Sequence, residues 1–238
     1  MTAPLPVQQS RWHAMADARA LQAALAGRTL AAADEALRRR GRFVVVLAGG
    51  NTPRGAYELL RAAYADWSRW HVYFGDERCA PRDDAARNDR MAASAWLDHV
   101  PIPAEQVHEI PAELGPVEAA LRYAATLDEV GTFDLVLLGL GEDGHTASLF
   151  PGHELGRGDG APGMLAVLDA PKPPPQRVTM SARRFSQTRE ALFMVSGAAK
   201  REAVRRWRAG EDIPAHAIAP DTDVDVFVEA ALLAPAAP

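Results

Sequence analysis

The sequence of 238 residues contains a single cysteine, only two lysines and no long apolar run. Because Cys79 has no second cysteine to pair with, an intramolecular disulfide and a thiolate metal cluster are excluded. The lack of disulfides is typical of proteins in a reducing compartment. The most apolar stretch, at residues 133–140, is too short to cross a bilayer. The first 18 residues lack the basic flank and apolar core of a signal peptide. These absences predict a cytoplasmic protein that binds no membrane.

The chain also lacks an excess of positive charge. Its formal net charge is −5, whereas binding to a nucleic-acid backbone needs a concentrated basic face. We therefore predict no nucleic-acid partner, and basic groups that bind an anionic substrate must be local. Because 48% of the residues are hydrophobic and no linker is evident, residues 1–238 are predicted to form one domain.

Short apolar runs alternate with helical stretches along the chain. The run at 43–47 is apolar throughout, as expected of a strand buried on both faces of a sheet. This alternation predicts an α/β fold with a Rossmann-like, doubly wound, mostly parallel sheet and helices on both faces. Strands are predicted at 43–47, 70–74, 133–138, near 178, at 191–195 and at 224–228. Helices are predicted at 15–40, 53–64, 88–97, 116–130 and 198–208, with a surface loop at 152–163.

The first polar loop follows the strand at 43–47 and contains Gly49, Gly50, Asn51 and Thr52. Ligands of such sheets bind beyond the carboxyl ends of the strands, and glycines before a helix let backbone N–H groups bind an anion. The loop matches neither the P-loop nor the dinucleotide fingerprint. We predict that it binds phosphate, although an ordinary tight turn capped by Thr52 would account for the same residues.

The second polar loop follows the strand at 70–74 and contains Asp76, Glu77 and Arg78. Arg78 offers a planar fork for a phosphate or a carboxylate, and Asp76 is expected to orient it. A surface ion pair among these residues is the alternative explanation.

The third polar loop follows the strand at 133–138 and contains Asp143, Gly144 and His145. His145 does not lie on an apolar face, and imidazole is neutral over much of the physiological pH range. We therefore predict that His145 is a general base and that Asp143 fixes its tautomer. Lys200, which opens a helix after the strand at 191–195, is predicted to reach the same edge of the sheet; a solvated helix position is the alternative.

Other catalytic patterns are missing from the sequence. The remaining histidines show no HxH or HxxxH spacing, so no metal site is predicted. Gly-x-Ser-x-Gly is absent, which disfavours a serine nucleophile, and no partnering base is evident near Cys79.

Taken together, the polar loops resemble the 6-phosphogluconolactonase family. The matching stretches are 47–53, 75–81 with Asn88, 138–151, 177–181 and 195–200. They occur in order over residues 10–230, with Asn51 where a serine is common. The resemblance implies a Rossmann-like sheet shared with glucosamine-6-phosphate deaminases and ribose-5-phosphate isomerases.

Phe150 separates this chain from the nearest rival family. The deaminases carry a similar Asp-Gly-His loop, but with a glutamate five residues after the histidine, where this chain has Phe150. The acid that a deaminase would use for ring opening is therefore missing. A glucosamine-6-phosphate deaminase or isomerase remains the alternative enzyme. A non-catalytic sugar-phosphate sensor is the alternative of another class, but the N-terminal segment is too short for the DNA-binding module that usually accompanies one.

The resemblance implies hydrolysis of 6-phosphoglucono-δ-lactone to 6-phosphogluconate in the oxidative pentose phosphate pathway. In this reaction His145 would activate the water, oriented by Asp143, and the oxyanion would meet backbone N–H groups at 141–144 or Arg78. There is no redox step and no carbanion, so no cofactor and no metal are expected. The only partner expected is the phosphorylated sugar lactone. The sequence contains no evident coiled coil or swapped arm, so it is compatible with a monomer. The predicted substrate- and phosphate-binding residues are Gly49, Gly50, Asn51, Thr52, Asp76, Arg78, Gly144 and Lys200.

Overall fold

A computed structural model of the chain describes residues 8–234. The strands are β1 (Ser10–Met15), β2 (Phe43–Leu47), β3 (Trp70–Phe74), β4 (Asp76–Arg78), β5 (Val107–His108), β6 (Leu135–Gly139), β7 (Met164–Val167), β8 (Arg177–Met180), β9 (Ala191–Val195) and β10 (Val224–Glu229). The helices are α1 (Ala18–Arg40), α2 (Asn51–Leu60), α3 (Asn88–Ala95), α4 (Pro116–Asp128), α5 (Ala182–Ser186), α6 (Arg201–Arg208) and α7 (Ala230–Leu233). None of the helices within residues 8–234 is long and apolar enough to span a membrane. The prediction about a signal peptide falls partly on residues 1–7, which lie outside the described range.

Seven of the strands form one sheet, in the order β1-β10-β9-β6-β2-β3-β5, and every neighbouring pair is parallel. All residues of β2 and β9 are buried. Strands buried along their whole length need cover on both faces of the sheet. The predicted α/β fold with a mostly parallel, doubly wound sheet is thus confirmed.

The order of the strands creates a crevice beside β2 and β6. From β2 the chain continues outward to β3 and β5, whereas from β6 it continues to the opposite side, to β9 and β10. The loops that leave the carboxyl ends of β2 and β6 therefore diverge, and ligands of open α/β sheets bind in such a gap. These loops are the first and the third of the polar loops identified in the sequence.

A second sheet, which the sequence did not predict, has three antiparallel strands in the order β4-β8-β7. Strand β4 has three polar residues, too few for an alternating pattern to be recognised. Its pairing with β8 places Arg78 opposite Arg177. The small sheet thereby fixes the polar segment that follows β3.

The predicted start of the first helix was wrong. Residues 10–15 form β1, and α1 begins only at Ala18, where the Asp17 carboxylate accepts a hydrogen bond from the backbone N–H of Ala20 at 2.8 Å. Such a bond satisfies one of the free N–H groups of a first helical turn. The other predicted strands and helices are present with ends displaced by a few residues, and 152–163 contains neither helix nor strand, as predicted.

Candidate active site

A cleft of about 480 Å³ opens at the carboxyl ends of β2, β3, β6 and β9. It lies at the position where the sheet topology predicts a ligand site. Asp143 and Gly144 are the two predicted site residues that are not part of its lining. The predicted residues that line it are Gly49, Gly50, Asn51, Thr52, Asp76, Arg78, His145 and Lys200.

His145, which lines the cleft, forms a hydrogen-bonded pair with Asp143. The Nδ1 atom of His145 lies 2.5 Å from Oδ1 of Asp143, which also accepts the backbone N–H of His145 at 3.1 Å. The side chain of His145 is 16% exposed. A carboxylate that accepts from Nδ1 favours the tautomer whose Nε2 is free to accept a proton.

The two side chains perturb each other's pKa. The pKa of His145 is lowered: burial, the largest influence, and the positive charges of Lys172 and Lys200 lower it, whereas the contact with Asp143 raises it. Burial raises the pKa of Asp143, but hydrogen bonds from His145, together with the charges of His145 and Lys172, give a net lowering. His145 is therefore neutral and Asp143 is ionised near pH 7, as a general base and its orienting carboxylate require.

The imidazole of His145 is held between Gly141 and Phe150. A Cβ atom on Gly141 would lie 1.9 Å from Nδ1 of His145, so the ring occupies space that only glycine leaves free. On the other side, the ring centroid of Phe150 lies 4.8 Å from that of His145, and Phe150 is fully buried. Phe150, at the position where the sequence comparison expects a glutamate in deaminases, thus packs against the imidazole of His145.

Gly144 faces away from the cleft. Its φ angle is 90°, and a Cβ atom there would lie 2.8 Å from the side chain of Ile213. Its carbonyl oxygen accepts a hydrogen bond from the backbone N–H of Ala215 at 3.2 Å. These contacts dock the loop against residues 213–215, and they give Gly144 a part in shaping the loop instead of a contact with the cleft.

The first loop presents an open helix end to the cleft. Helix α2 begins at Asn51, with Gly50 in the N-cap position at φ 111° and no side chain bonded to the cap. Thr52 is therefore inside the helix, and it is not the cap that the alternative explanation requires. The hydroxyl of buried Tyr57 accepts from the backbone N–H of Ala48 at 3.1 Å and donates to its carbonyl at 3.0 Å, which pins the start of the loop. A helix N-terminus without a side-chain cap is suited to an anion.

Asp76 is held by neighbours other than Arg78. Its carboxylate accepts from the side-chain amide of Asn88 at 3.0 Å and from the hydroxyl of Ser148 at 2.6 Å. A Cβ atom on Gly49 would lie 1.9 Å from Oδ1 of Asn88, so this asparagine also packs against the first loop. Asp76 thus ties three segments of the cleft together, and the expected bond from Asp76 to Arg78 is absent.

Glu77 anchors α3 from below the cleft. Its fully buried carboxylate accepts the backbone N–H groups of Asn88 at 2.7 Å and Asp89 at 2.9 Å, at the start of the helix, and of Arg78 at 2.8 Å. Burial and the nearby carboxylate of Asp89 raise the pKa of Glu77 to about 8, although the three backbone donors oppose the rise. Glu77 positions the helix that carries Asn88.

Arg78 keeps free donors at the edge of the cleft. Its Nη1 donates to the carbonyl oxygen of Ala86. Its Nε is buried and has no hydrogen-bond partner among the described residues. An unpaired buried donor of a guanidinium is costly unless a ligand satisfies it, which fits binding of an oxyanion.

The loop after β9 also lines the cleft. Ser196 and Lys200 line the cleft there. The hydroxyl of Ser196 donates to Glu229, and the backbone N–H of Gly197 donates to the same carboxylate oxygen at 2.9 Å. Burial lowers the pKa of Lys200, whereas Glu142 opposes the shift. Glu229, at the end of β10, thus holds the loop that carries Lys200.

Four polar lining residues had been given no role from the sequence: Asn88, Lys172, Arg177 and Ser196. Asn88 and Arg177 belong to stretches that match the family, and Lys172 is one of the two lysines, so a signal for each was present. Their approach to the cleft depends on long-range pairing, such as that of β4 with β8. No local pattern reveals such pairing.

The structure gives no support to two other chemistries. Burial, together with Glu77, raises the pKa of Cys79 to about 11, so its thiol is protonated at neutral pH and is a poor nucleophile. Within residues 8–234, no group of three or more His, Cys, Asp or Glu side chains is placed to hold a metal ion.

Comparison with known proteins identifies the same relatives by sequence and by structure. The chain is 40% identical over 194 residues to 6-phosphogluconolactonase of Mycobacterium leprae, covering 75% of this chain and 78% of that protein. It is 38% identical over 210 residues to 6-phosphogluconolactonase of Mycobacterium tuberculosis, covering 82% and 85%. A probable chloroplastic 6-phosphogluconolactonase of rice is 36% identical over 203 residues, which span 78% of this chain and 62% of the rice protein.

Solved structures share the fold over nearly the whole chain. The crystal structure of 6-phosphogluconolactonase from Thermotoga maritima superposes with a TM-score of 0.86 at 26% identity, covering 93% of this chain and 100% of that one. A monomeric glucosamine-6-phosphate deaminase superposes at 0.80 with 21% identity, covering 95% and 99%, which shows a shared fold alone. The profile of the family described as glucosamine-6-phosphate isomerases/6-phosphogluconolactonase matches residues 16–227. The chain therefore belongs to this family, as its polar loops predicted.

Proposed function

We propose that the chain is a 6-phosphogluconolactonase, which hydrolyses 6-phosphoglucono-δ-lactone to 6-phosphogluconate in the oxidative pentose phosphate pathway. The observation that carries the proposal is the Asp143–His145 pair, which lies in one cleft with the uncapped N-terminus of α2. A base beside an anion site is what hydrolysis of a phosphorylated lactone needs. The 38–40% identity to mycobacterial 6-phosphogluconolactonases supports the choice of substrate.

His145 acts as the general base in the proposed reaction. Its Nδ1 is engaged by Asp143, so Nε2 takes a proton from water as the water oxygen attacks the lactone carbonyl carbon. The tetrahedral intermediate then collapses, the bond from this carbon to the ring oxygen breaks, and the imidazolium returns its proton to that oxygen. General-base help of this kind contributes about 10²–10⁴-fold to the rate.

The phosphate of the substrate binds on the side of the cleft formed by the first and second loops. The backbone of Gly49–Thr52 offers N–H groups at the helix end, and Arg78 offers the unpaired Nε. Lys200 supplies a further positive charge, and Asp76 keeps Asn88 and the first loop in place. Holding the phosphate fixes the lactone carbonyl relative to His145.

The wider properties of the chain follow from the proposed reaction. The proposed chemistry needs no cofactor and no metal, and every group assigned a role belongs to a single chain, so we propose that a monomer suffices for the reaction. One hydrophobic cluster includes side chains from Leu21 to Leu232, which supports a single domain. A cytoplasmic location is proposed on the ground that the chain has a single cysteine.

The first test is hydrolysis of freshly generated 6-phosphoglucono-δ-lactone, with the spontaneous rate subtracted, by the wild type and by His145→Ala. We expect kcat to fall about 10²–10⁴-fold in the variant. KM should change by only a few fold, because the residues proposed to bind the phosphate are unchanged. His99→Ala, at an exposed histidine outside the cleft, is the matched control and should retain activity. Failure of the wild type to accelerate hydrolysis would overturn the function. Full activity of His145→Ala would overturn the assignment of the base.

A further inference from the structure

The only two lysines of the chain, Lys172 and Lys200, both line the cleft. Every other basic side chain, histidines aside, is an arginine. An ammonium group is a compact point charge with three rotatable donors, whereas a guanidinium is a planar fork suited to bidentate ligands. Both lysines thus line the cleft in which, in the proposed reaction, negative charge develops on the carbonyl oxygen of the lactone.

Lys172 is coupled to the base and its carboxylate more closely than Lys200 is. After burial and the two effects of Asp143, the charge of Lys172 is the next largest influence on the pKa of His145, ahead of Lys200, and it lowers that pKa. The charge of Lys172 also contributes to the lowered pKa of Asp143, behind burial and the hydrogen bonds from His145. Lys172 and His145 also line the same cleft.

The backbone of Lys172 is fixed by a buried arginine. Arg177 donates from Nη2 to the carbonyl oxygens of Lys172 and Pro173 and from Nε to that of Pro174, each at 3.1 Å. The guanidinium carbon of Arg177 lies 5.6 Å from the ring centroid of Phe150, which packs on His145. Arg177 and Phe150, which are both buried and in contact, thus position the turn that carries Lys172 and also the imidazole of His145.

The backbone donors of the third loop are largely used within the loop. The N–H of Gly141 donates to the carbonyl oxygen of His145 at 2.7 Å, and that of Gly144 donates to Gly141 at 3.1 Å. The N–H of His145 donates to the Asp143 carboxylate. Gly141 and Gly144, two of the four residues at 141–144 whose N–H groups were expected to stabilise an oxyanion, thus already have partners for those groups.

We propose that Lys172 is a catalytic residue whose ammonium group stabilises the oxyanion of the tetrahedral intermediate and then the carboxylate of the product; this inference rests on the proposed lactonase activity. Attack of water converts the neutral carbonyl into an oxyanion while His145 takes a proton. Collapse cleaves the bond to the ring oxygen, which receives that proton, and the carboxylic acid formed releases its own proton to become a carboxylate. A negative charge therefore appears beside Lys172 in the intermediate and persists in the product.

The test compares Lys172→Met with the matched variant Lys200→Met, which removes the same charge from the other lysine of the cleft. Two ligands are titrated by calorimetry: 6-phosphogluconate, and glucitol 6-phosphate, which has the same chain and phosphate but an alcohol in place of the carboxylate. For Lys172→Met we expect affinity for 6-phosphogluconate to fall at least tenfold and affinity for glucitol 6-phosphate to change less than twofold. For Lys200→Met, a phosphate-side residue, both affinities should fall together.

The kinetic arm uses the same variants on the lactone. Lys172→Met should lower kcat about 10- to 100-fold, at or below the loss of about 10²–10³-fold for one oxyanion donor, with little change in KM. Lys172→Arg, which retains the charge, should keep the preference for the carboxylate ligand and shows that loss in Lys172→Met is not misfolding. An unchanged kcat, or equal weakening of both ligands by Lys172→Met, refutes the proposal. If the wild type does not hydrolyse the lactone, the proposed function fails, whereas the two-ligand comparison still decides whether Lys172 recognises a carboxylate.

Discussion

At the scale of single residues, the proposed chemistry depends on keeping His145 neutral and correctly oriented. Burial and two lysines lower its pKa, while Asp143 raises it and holds Nδ1. The neutral imidazole is the active form, so activity should be lost only as the pH falls through a pKa below the ordinary value of about 6.5. Close packing against Gly141 and the ring of Phe150 restricts the orientation of the imidazole.

Asp143→Asn tests this balance at the residue scale. The neutral amide removes the charge that raises the pKa of His145, so the acid limb of the kcat/KM profile should move to lower pH. The amide can also favour the wrong tautomer, so kcat at pH 7.5 should lose part of the roughly 10²–10⁴-fold that base catalysis supplies. Profiles of both proteins between pH 5 and pH 8 check both effects. A limb that moves to higher pH contradicts the assigned role of Asp143.

At the scale of elements, the segment from β4 to α3 connects the small sheet to the cleft. Glu77 lies in β4, and its carboxylate accepts the first N–H groups of α3. Helix α3 carries Asn88, which reaches both Asp76 and the first loop. A buried acid that caps a helix is therefore part of the support of the phosphate side of the cleft.

Glu77→Gln isolates the titration of this buried acid. The pKa of Glu77 is about 8 in the folded protein and about 4.5 in an unfolded chain, so between these values the folded state holds a proton that the unfolded state releases. The contribution of Glu77 to the free energy of unfolding must then fall as the pH rises, by up to about 1.4 kcal/mol per pH unit. Urea unfolding of the wild type and the variant at pH 5, 6, 7 and 8 measures the difference. A stability difference that grows with pH is the opposite of what this pKa requires.

At the scale of the whole molecule, the reversal of strand order between β2 and β6 provides the cleft, and the deaminase neighbour shares this fold. The shared fold alone therefore does not separate the two activities. Phe150 is fully buried between His145 and Arg177 and is not part of the cleft lining. Restoring an acid at this position alone should not create a deaminase.

Phe150→Glu tests that statement. Neither the wild type nor the variant should release ammonia from glucosamine 6-phosphate above background. The side chain at this position is buried against His145 and does not line the cleft, so a carboxylate there would not reach the substrate. The variant should also lose lactonase activity, since His145 loses its aromatic packing, whereas Phe150→Leu should keep most of it. Ammonia release is measured alongside lactone hydrolysis. Release by the wild type would contradict the proposed function, and release by the variant alone would contradict the packing argument.

The sequence by itself determined the parallel sheet and the three loops that form the cleft. Runs such as 43–47 and 191–195 are apolar throughout because both faces of their strands are covered, and this property is readable locally. The loops that follow such strands must meet at one edge of the sheet. For this reason Gly50, Arg78, His145 and the start of the helix predicted at 53–64 could be brought together from the sequence.

Tertiary structure alone decided the contacts between distant segments. Residues 10–15 form a strand because they pair with β10, near the other end of the chain, and β4 exists because it pairs with β8. The same pairing fixes Asp76, which accepts from Asn88 and Ser148, and Arg177, which holds the backbone of Lys172. Such contacts depend on which segments the sheet places side by side, and neither local propensity nor periodicity specifies that choice.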